Sequence, residues 1–191
     1  MAATTISARS GISSRVAGNA EELRATFTEH GQELEWLAEF LTGDEIMASA
    51  CVIEASTLRE GENAKSQEWL WPWPREATIR SALDVQRVRI AQLSSVYDRC
   101  DCVYGEHTAL PLEVLEFLVR ESDVIRVRLD TICRFVLVLC AIENRRSREV
   151  ALLLGISEHA VEAAYLAALQ SLDIIRSQAI VASYGCPAAC N

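Results

Sequence analysis

Lysine is almost missing from this chain: Lys65 is the only one among its 18 basic residues. Aromatic residues make up 6% of the sequence, and there are four prolines. The longest uninterrupted apolar run, residues 135–142, is far shorter than the roughly 20 residues that cross a bilayer. The first 20 residues lack the continuous apolar stretch of a secretory signal. These absences predict a cytoplasmic protein with no membrane association.

Negative charge dominates, with 27 acidic residues and a net charge of −9. Three basic and twelve acidic residues fall within 21–70, so that segment alone accounts for the excess. A net field of this sign disfavours binding of nucleic acid by the protein surface as a whole. Any contact with DNA must come from a local basic cluster.

The cysteines and histidines give little indication of chemistry. Seven cysteines are present, at positions 51, 100, 102, 133, 140, 186 and 190. Cys51, Cys133 and Cys140 lie in apolar runs and are predicted to be small core residues. The other four, with His107, could ligate zinc as the minor alternative, but neither pair has the usual C-x-x-C spacing. We therefore predict no metal site and no cofactor.

Catalytic groupings are equally hard to find. His30, His107 and His159 lie far apart in the sequence without a nucleophile-and-base spacing, and no glycine-rich phosphate loop is present. The prediction is that the protein is not an enzyme.

Apolar residues recur at helical steps of three and four nearly throughout, and no alternating strand segment occurs. This pattern predicts an all-α fold of two small helical units joined by a linker. The expected divisions are a disordered tail at 1–20, a helical domain at 21–97, a linker at 98–111, a second helical domain at 112–176 and a loose tail at 177–191.

Residues 144–172 carry the most specific pattern in the chain. Ser147 is expected to cap one helix, Gly155 to make a left-handed turn, and Ser157 to cap the next helix. Val150, Ala151 and further small or apolar residues in the second helix would face inward. Two helices joined by so tight a turn predict a helix-turn-helix.

These residues resemble a known family. The stretch from Ser147 to Ser157, SREVALLLGIS, with the apolar run 135–139 before it, resembles region four of bacterial RNA polymerase sigma factors. Leu41-Thr42-Gly43-Asp44, followed by Trp69-Leu70 and a long arginine-bearing helix, is similar to region two. The order and the linker resemble the small, two-domain sigma factors of the extracytoplasmic-function type, in a diverged form.

The resemblance implies binding to the RNA polymerase core and to promoter DNA. Region four implies recognition of the upstream promoter element, and region two implies contact with the polymerase clamp and the downstream element. From the basic clusters and the helix-turn-helix pattern, we predict these DNA-binding residues: Arg145, Arg146, Ser147, Arg148, Ser157, Glu158, His159, Glu162, Arg80 and Arg87.

An alternative follows from the second helix of the motif, because no lysine or arginine lies between Arg148 and Arg176. Glu158 and Glu162 would repel phosphates, although a glutamate can accept a hydrogen bond from a cytosine amino group. The chain could therefore be a diverged sigma-like scaffold that binds a regulatory protein partner without binding DNA. The arginines of the long helix could equally pair with the acidic segment 21–70, and the tryptophans near its start are expected to seal a core rather than stack on a base.

Overall fold

A computed structural model of the chain describes residues 25–57, 72–100 and 110–184. Within these ranges every regular element is a helix and no strand occurs, which confirms the all-α prediction. The helices are α1 (Gly31–Thr42), α2 (Glu45–Thr57), α3 (Pro72–Tyr97), α4 (Leu112–Arg120), α5 (Ser122–Arg128), α6 (Thr131–Leu137), a π-helical stretch (Val138–Ile142), α7 (Ser147–Leu154) and α8 (Glu158–Tyr184).

The described chain divides into two compact units, each with its own buried residues. One comprises residues up to 39 together with 44–84, and the other comprises 40–43 together with 85 onward. The division therefore falls inside α3, whereas the sequence predicted a linker at 98–111. Residues 101–109 of that linker, and the predicted disordered tail at 1–20, lie outside the described residues.

In the first unit, the core forms where the start of α3 packs against α1, α2 and the chain just before α1. Phe27, Leu34, Ala55 and Ala77 are buried together, and Trp73 packs against them. The rings of Phe27 and Trp73 meet edge to face with their centroids 6.0 Å apart, a favourable aromatic geometry. Trp73 thus has the core role predicted for it, while Trp69 and Trp71 lie outside the described residues.

The sequence Leu41-Thr42-Gly43-Asp44 predicts a helix end followed by the N-cap of the next helix, and the connection between α1 and α2 has this form. Gly43 has a φ of +79°, which suits glycine because it lacks a Cβ atom. Asp44 caps α2, since its Oδ1 accepts a hydrogen bond of 2.8 Å from the backbone N–H of Met47. This cap is the one that the Thr-Gly-Asp sequence predicts.

In the second unit, residues 131–141 are buried on all sides. α6 packs against α8, which also packs against α5 and α7. The uninterrupted apolar run explains this position, because a helix that is apolar all round is stable only when it is enclosed. The apolar pattern of the sequence predicts one helix over about 123–143. In the structure Leu129 is extended, and Asp130 caps a new helix by accepting from Cys133 N–H at 2.9 Å.

The C-terminal helix is longer than predicted. α8 continues to Tyr184, so the predicted loose tail at 177–191 is helical over 177–184, and its remainder lies outside the described residues. Alanine, isoleucine and valine continue the helical pattern there, and the Ser177 hydroxyl donates to the Asp173 carbonyl at 2.8 Å. No single helix in the described ranges is both long and apolar enough to cross a membrane, and the α7–α8 pair reaches that length only with a bend of 107°.

Candidate nucleic-acid interface

The α7–α8 pair has the geometry that a tight turn between two helices produces. The two helices are bent by 107° across the break at residues 155–157. Gly155 adopts the left-handed conformation with a φ of +69°, and its N–H donates to the Ala151 carbonyl. The N–H of Ile156 donates to the same carbonyl at 3.1 Å. These bonds end α7 and turn the chain, as the Leu-Gly-Ile-Ser pattern predicts.

Ser157 caps α8, as predicted. Its Oγ accepts a hydrogen bond of 3.0 Å from the backbone N–H of Ala160. The same hydroxyl donates to the carboxylate of Asp98, just beyond the end of α3. Because the single O–H of Ser157 is already used, the side chain would have to give up its bond to Asp98 in order to donate to a DNA phosphate.

The first turns of α8 present an acidic face to solvent. Five residues of this stretch are buried: Ala160, Val161, Ala163, Ala164 and Tyr165. Glu158 is exposed, whereas His159 and Glu162 are half-buried. The three predicted contact residues in α8 therefore share its accessible side. The charge of that side is negative, as the sequence indicated.

Only part of the basic cluster around the start of α7 is accessible at the protein surface. Arg148 is exposed, while Arg145 is half-buried and donates its backbone N–H to the Leu139 carbonyl at 2.9 Å. Arg146 is exposed and occupies the N-cap position of α7, where its backbone N–H donates to Glu149 Oε2 at 3.2 Å. The sequence had assigned this cap to Ser147. Ser147 is instead the first helical residue and is buried at 6% exposure, so its side chain is not at the surface.

Arginines along α3 differ in their surroundings. Arg80 and Arg87 are both exposed, and Arg80 Nε donates to Glu76 Oε1 at 2.8 Å in an i,i+4 pair. An exposed ion pair of this kind stabilises a helix by only about 0.3–0.5 kcal/mol. Arg80 can therefore leave Glu76 and bind a phosphate instead. Arg75, by contrast, forms an ion pair with Glu33. For Arg75, the predicted alternative of pairing with the acidic segment is confirmed.

A polar cluster that was not predicted from the sequence links α3, α6 and α8. The Tyr97 hydroxyl donates to Asp130 Oδ2 at 2.6 Å and lies 3.0 Å from Cys133 Sγ. The Cys133 thiol donates to the Ala164 carbonyl of α8 at 3.3 Å. Burial, followed by the negative charge of Asp130, raises the pKa of Cys133 to about 12, and burial and the Asp130 hydrogen bond raise the pKa of Tyr97. Cys133 and Tyr97 therefore stay protonated, and with the Asp130 carboxylate they form a structural connection between α3, α6 and α8.

The buried cysteines match their prediction. Cys51, Cys133 and Cys140 are all buried as free thiols. Over the described ranges, no three metal-ligating side chains come together. Of the residues considered for zinc, Cys100 is a half-buried free thiol, and Cys102, His107, Cys186 and Cys190 lie outside those ranges.

Comparison with known proteins leaves the family open. The chain matches no protein-family model and no curated protein sequence. The resemblance to sigma factors therefore rests on the sequence residues quoted above.

Proposed function

We propose that this protein is a sigma-factor-like transcription initiation or regulatory protein that binds the RNA polymerase core and promoter DNA. The observation that carries the proposal is the α7–α8 pair, bent by 107° around a left-handed Gly155 and a Ser157 cap. DNA-binding helix-turn-helix motifs have such steep crossings and place the second helix in the major groove. The unit containing this pair can act as a promoter-reading module.

Phosphate contacts in this proposal come from the arginines. Arg148 and Arg146 are exposed at the start of α7, and Arg80 and Arg87 are exposed along α3. Contacts of this kind position a protein on the duplex without reading its sequence. Base contacts would come from the accessible side of α8, where Glu158, His159 and Glu162 lie.

Reconstitution with the RNA polymerase core tests the proposal directly. The full-length chain should co-elute with the core, and the complex should open a promoter fragment identified by selection from a random-sequence library. A chain that neither joins the core nor opens any selected fragment contradicts the proposal.

A second candidate is a sigma-like scaffold that binds a protein partner and no DNA. Two observations favour it: the accessible side of α8 carries Glu158 and Glu162, and the surface of α2 exposes large apolar residues. Ile46 is 82% exposed and Ile53 is 65% exposed, with Met47 beside Ile46 in the sequence. Exposed apolar side chains grouped on one helix are typical of a protein contact.

A salt series separates the two candidates. Filter binding of duplex DNA should weaken steeply as salt rises if arginines contact phosphates, because each neutralised phosphate releases counterions. The triple variant Arg145→Gln, Arg146→Gln and Arg148→Gln should lose this binding, while Arg176→Gln, an exposed residue farther along α8, should retain it. No binding by the native chain at about 50 mM salt favours the protein-contact candidate.

A further inference from the structure

A cavity of about 440 Å³ in the second unit has no role in the proposed function. Ten residues line it, and four of them are arginines: Arg89, Arg126, Arg128 and Arg134. A volume in this range is typical of small-molecule sites in proteins. The concentration of guanidinium groups in one concave space indicates a ligand of opposite charge.

Arg134 is the most deeply buried of the four arginines and forms the floor of the cavity. It is 7% exposed, and its Nη1 donates to the Arg126 carbonyl at 3.0 Å, while its Nη2 lies 3.4 Å from the Thr42 carbonyl. Its Nε is buried without a hydrogen-bond partner. Burial, and then the charge of Arg89, lower the pKa of the guanidinium. Since a buried charge is costly without a counter-ion, the site is short of negative charge.

Among the described residues that line the cavity, little of that charge comes from a carboxylate. Asp130 is the one acid among the ten lining residues. Its two oxygens already accept from the Tyr97 hydroxyl at 2.6 Å and the Cys133 N–H at 2.9 Å. Arg126 meets Asp123 at 3.3 Å, but that carboxylate is 88% exposed and is therefore largely screened by water.

Two further arginines remain available to a ligand. Arg89 and Arg128 are exposed, and within the part of the chain that the structure describes neither forms an ion pair with a carboxylate. With Arg126 and Arg134 they give the lining four positive charges against the single charge of Asp130. One guanidinium group can donate hydrogen bonds to two phosphate oxygens at once. Four arginines can therefore bind more oxygens than a single phosphate group has.

We propose that the cavity binds a small anion with two or more linked phosphate groups, either inorganic or as the end of a larger molecule. The linked phosphates would lie between Arg89 and Arg128 near the mouth and Arg134 at the floor. This inference is independent of promoter binding, because none of the four arginines belongs to the predicted DNA-binding set.

Isothermal titration of the full-length protein with inorganic pyrophosphate tests the site, with sodium chloride matched for ionic strength in both solutions. We expect one pyrophosphate per chain and at least tenfold weaker binding of orthophosphate. The double variant Arg89→Gln and Arg128→Gln should bind pyrophosphate at least tenfold more weakly. Both residues are exposed, so the variant should keep the native circular dichroism spectrum; Arg176→Gln, outside the lining, should bind as the native chain does.

Three results would overturn the proposal. The first is the absence of pyrophosphate binding, and the second is binding that the double variant retains in full. The third is displacement of pyrophosphate by duplex DNA at an affinity that depends on Arg89 and Arg128, which would make the site part of a DNA surface. Because the titration contains no polymerase and no promoter, its failure would leave the proposed transcription function standing.

Discussion

A Cβ atom on Gly43 would lie 2.8 Å from Nη1 of Arg134, closer than real side chains approach. The guanidinium cannot simply move away, since hydrogen bonds to the carbonyls of Arg126 and Thr42 hold it. The α1–α2 connection and the buried arginine of α6 are thus fitted to each other. The Thr-Gly-Asp sequence that indicates a helix boundary also provides the space for a buried charge.

Gly43→Ala should destabilise the protein by about 2–4 kcal/mol, from the positive φ together with the displacement of Arg134. Gly155→Ala is a matched control, because it has a similar φ of +69° but open space where the Cβ would lie. Its expected cost is about 1–2 kcal/mol, from the backbone alone. Urea unfolding followed by circular dichroism measures both values. Equal losses in the two variants would mean that the contact with Arg134 has no energetic weight.

Loss of the Ser157 hydroxyl should weaken the start of α8. Ser157→Ala removes the acceptor for the Ala160 N–H, which typically costs about 0.5–2 kcal/mol. Ser171→Ala serves as the control: its hydroxyl only bonds back to the Ala167 carbonyl within the same helix, so its loss should be neutral or slightly stabilising. Thermal unfolding of the two variants compares them. A Ser157→Ala protein as stable as the native one would contradict the capping role.

Tyr97→Phe should cost about 1.5–3 kcal/mol, because the hydroxyl donates to the partly buried carboxylate of Asp130. The ring itself is retained, so the change removes only the contacts of the hydroxyl. Chemical denaturation measures the free energy of unfolding. The Cys133 amide donates a hydrogen bond to Asp130 Oδ1, so its hydrogen exchange should become faster in the variant. Unchanged stability and exchange would show that water replaces the hydroxyl without loss.

Stability should fall as the pH rises from about 9 towards 12. Burial raises the pKa of Cys140 from 9.0 to about 12, and Cys133 has a similarly raised pKa. Between those values the unfolded chain has released the thiol protons while the folded chain retains them, so unfolding becomes more favourable as the pH increases. Each thiol contributes at most about 1.4 kcal/mol per pH unit in this window. Urea midpoints at pH 8 to 11 should decline less in Cys140→Ala; an equal decline would assign the effect to other groups.

The acidic side of α8 gives the last prediction. Under the promoter-binding proposal, Glu158→Gln with Glu162→Gln removes repulsion from phosphates and should tighten non-specific duplex binding about tenfold at low salt. Glu113→Gln, an exposed acid on α4, is the matched control and should change little. Fluorescence anisotropy with a labelled duplex gives the affinities. No gain in the double variant would place DNA away from this side of α8.

Sequence patterns predicted the helical class and the local turn chemistry well, because both depend on nearby residues. The Gly155 turn and the Asp44 and Ser157 caps all need only a few adjacent positions. The break at Leu129 was not predicted, because the helical spacing of apolar residues continues across it. The site around Arg134 was also missed: a single arginine beside apolar residues gives no indication that Gly43, 91 positions earlier, lies against it.

The predicted DNA-binding set shows the same limit. Sequence spacing placed Glu158, His159 and Glu162 together on one accessible side of α8, which periodicity alone can determine. It could not show that Ser147 is buried one position inside α7, because a cap and a first helical residue differ by a single step along the chain. Nor could sequence spacing show that the Ser157 hydroxyl donates a hydrogen bond to Asp98.

The hydrogen bonds of the π-helical stretch at Val138–Ile142 span five residues instead of the four of an α-helix, with Glu143 N–H donating to the Val138 carbonyl at 2.9 Å. The backbone N–H of Arg145 also donates into this stretch, to the Leu139 carbonyl at 2.9 Å. The start of the basic cluster is therefore anchored to the buried core through the backbone. Insertion or deletion at this point would redirect the basic cluster without altering any residue in it.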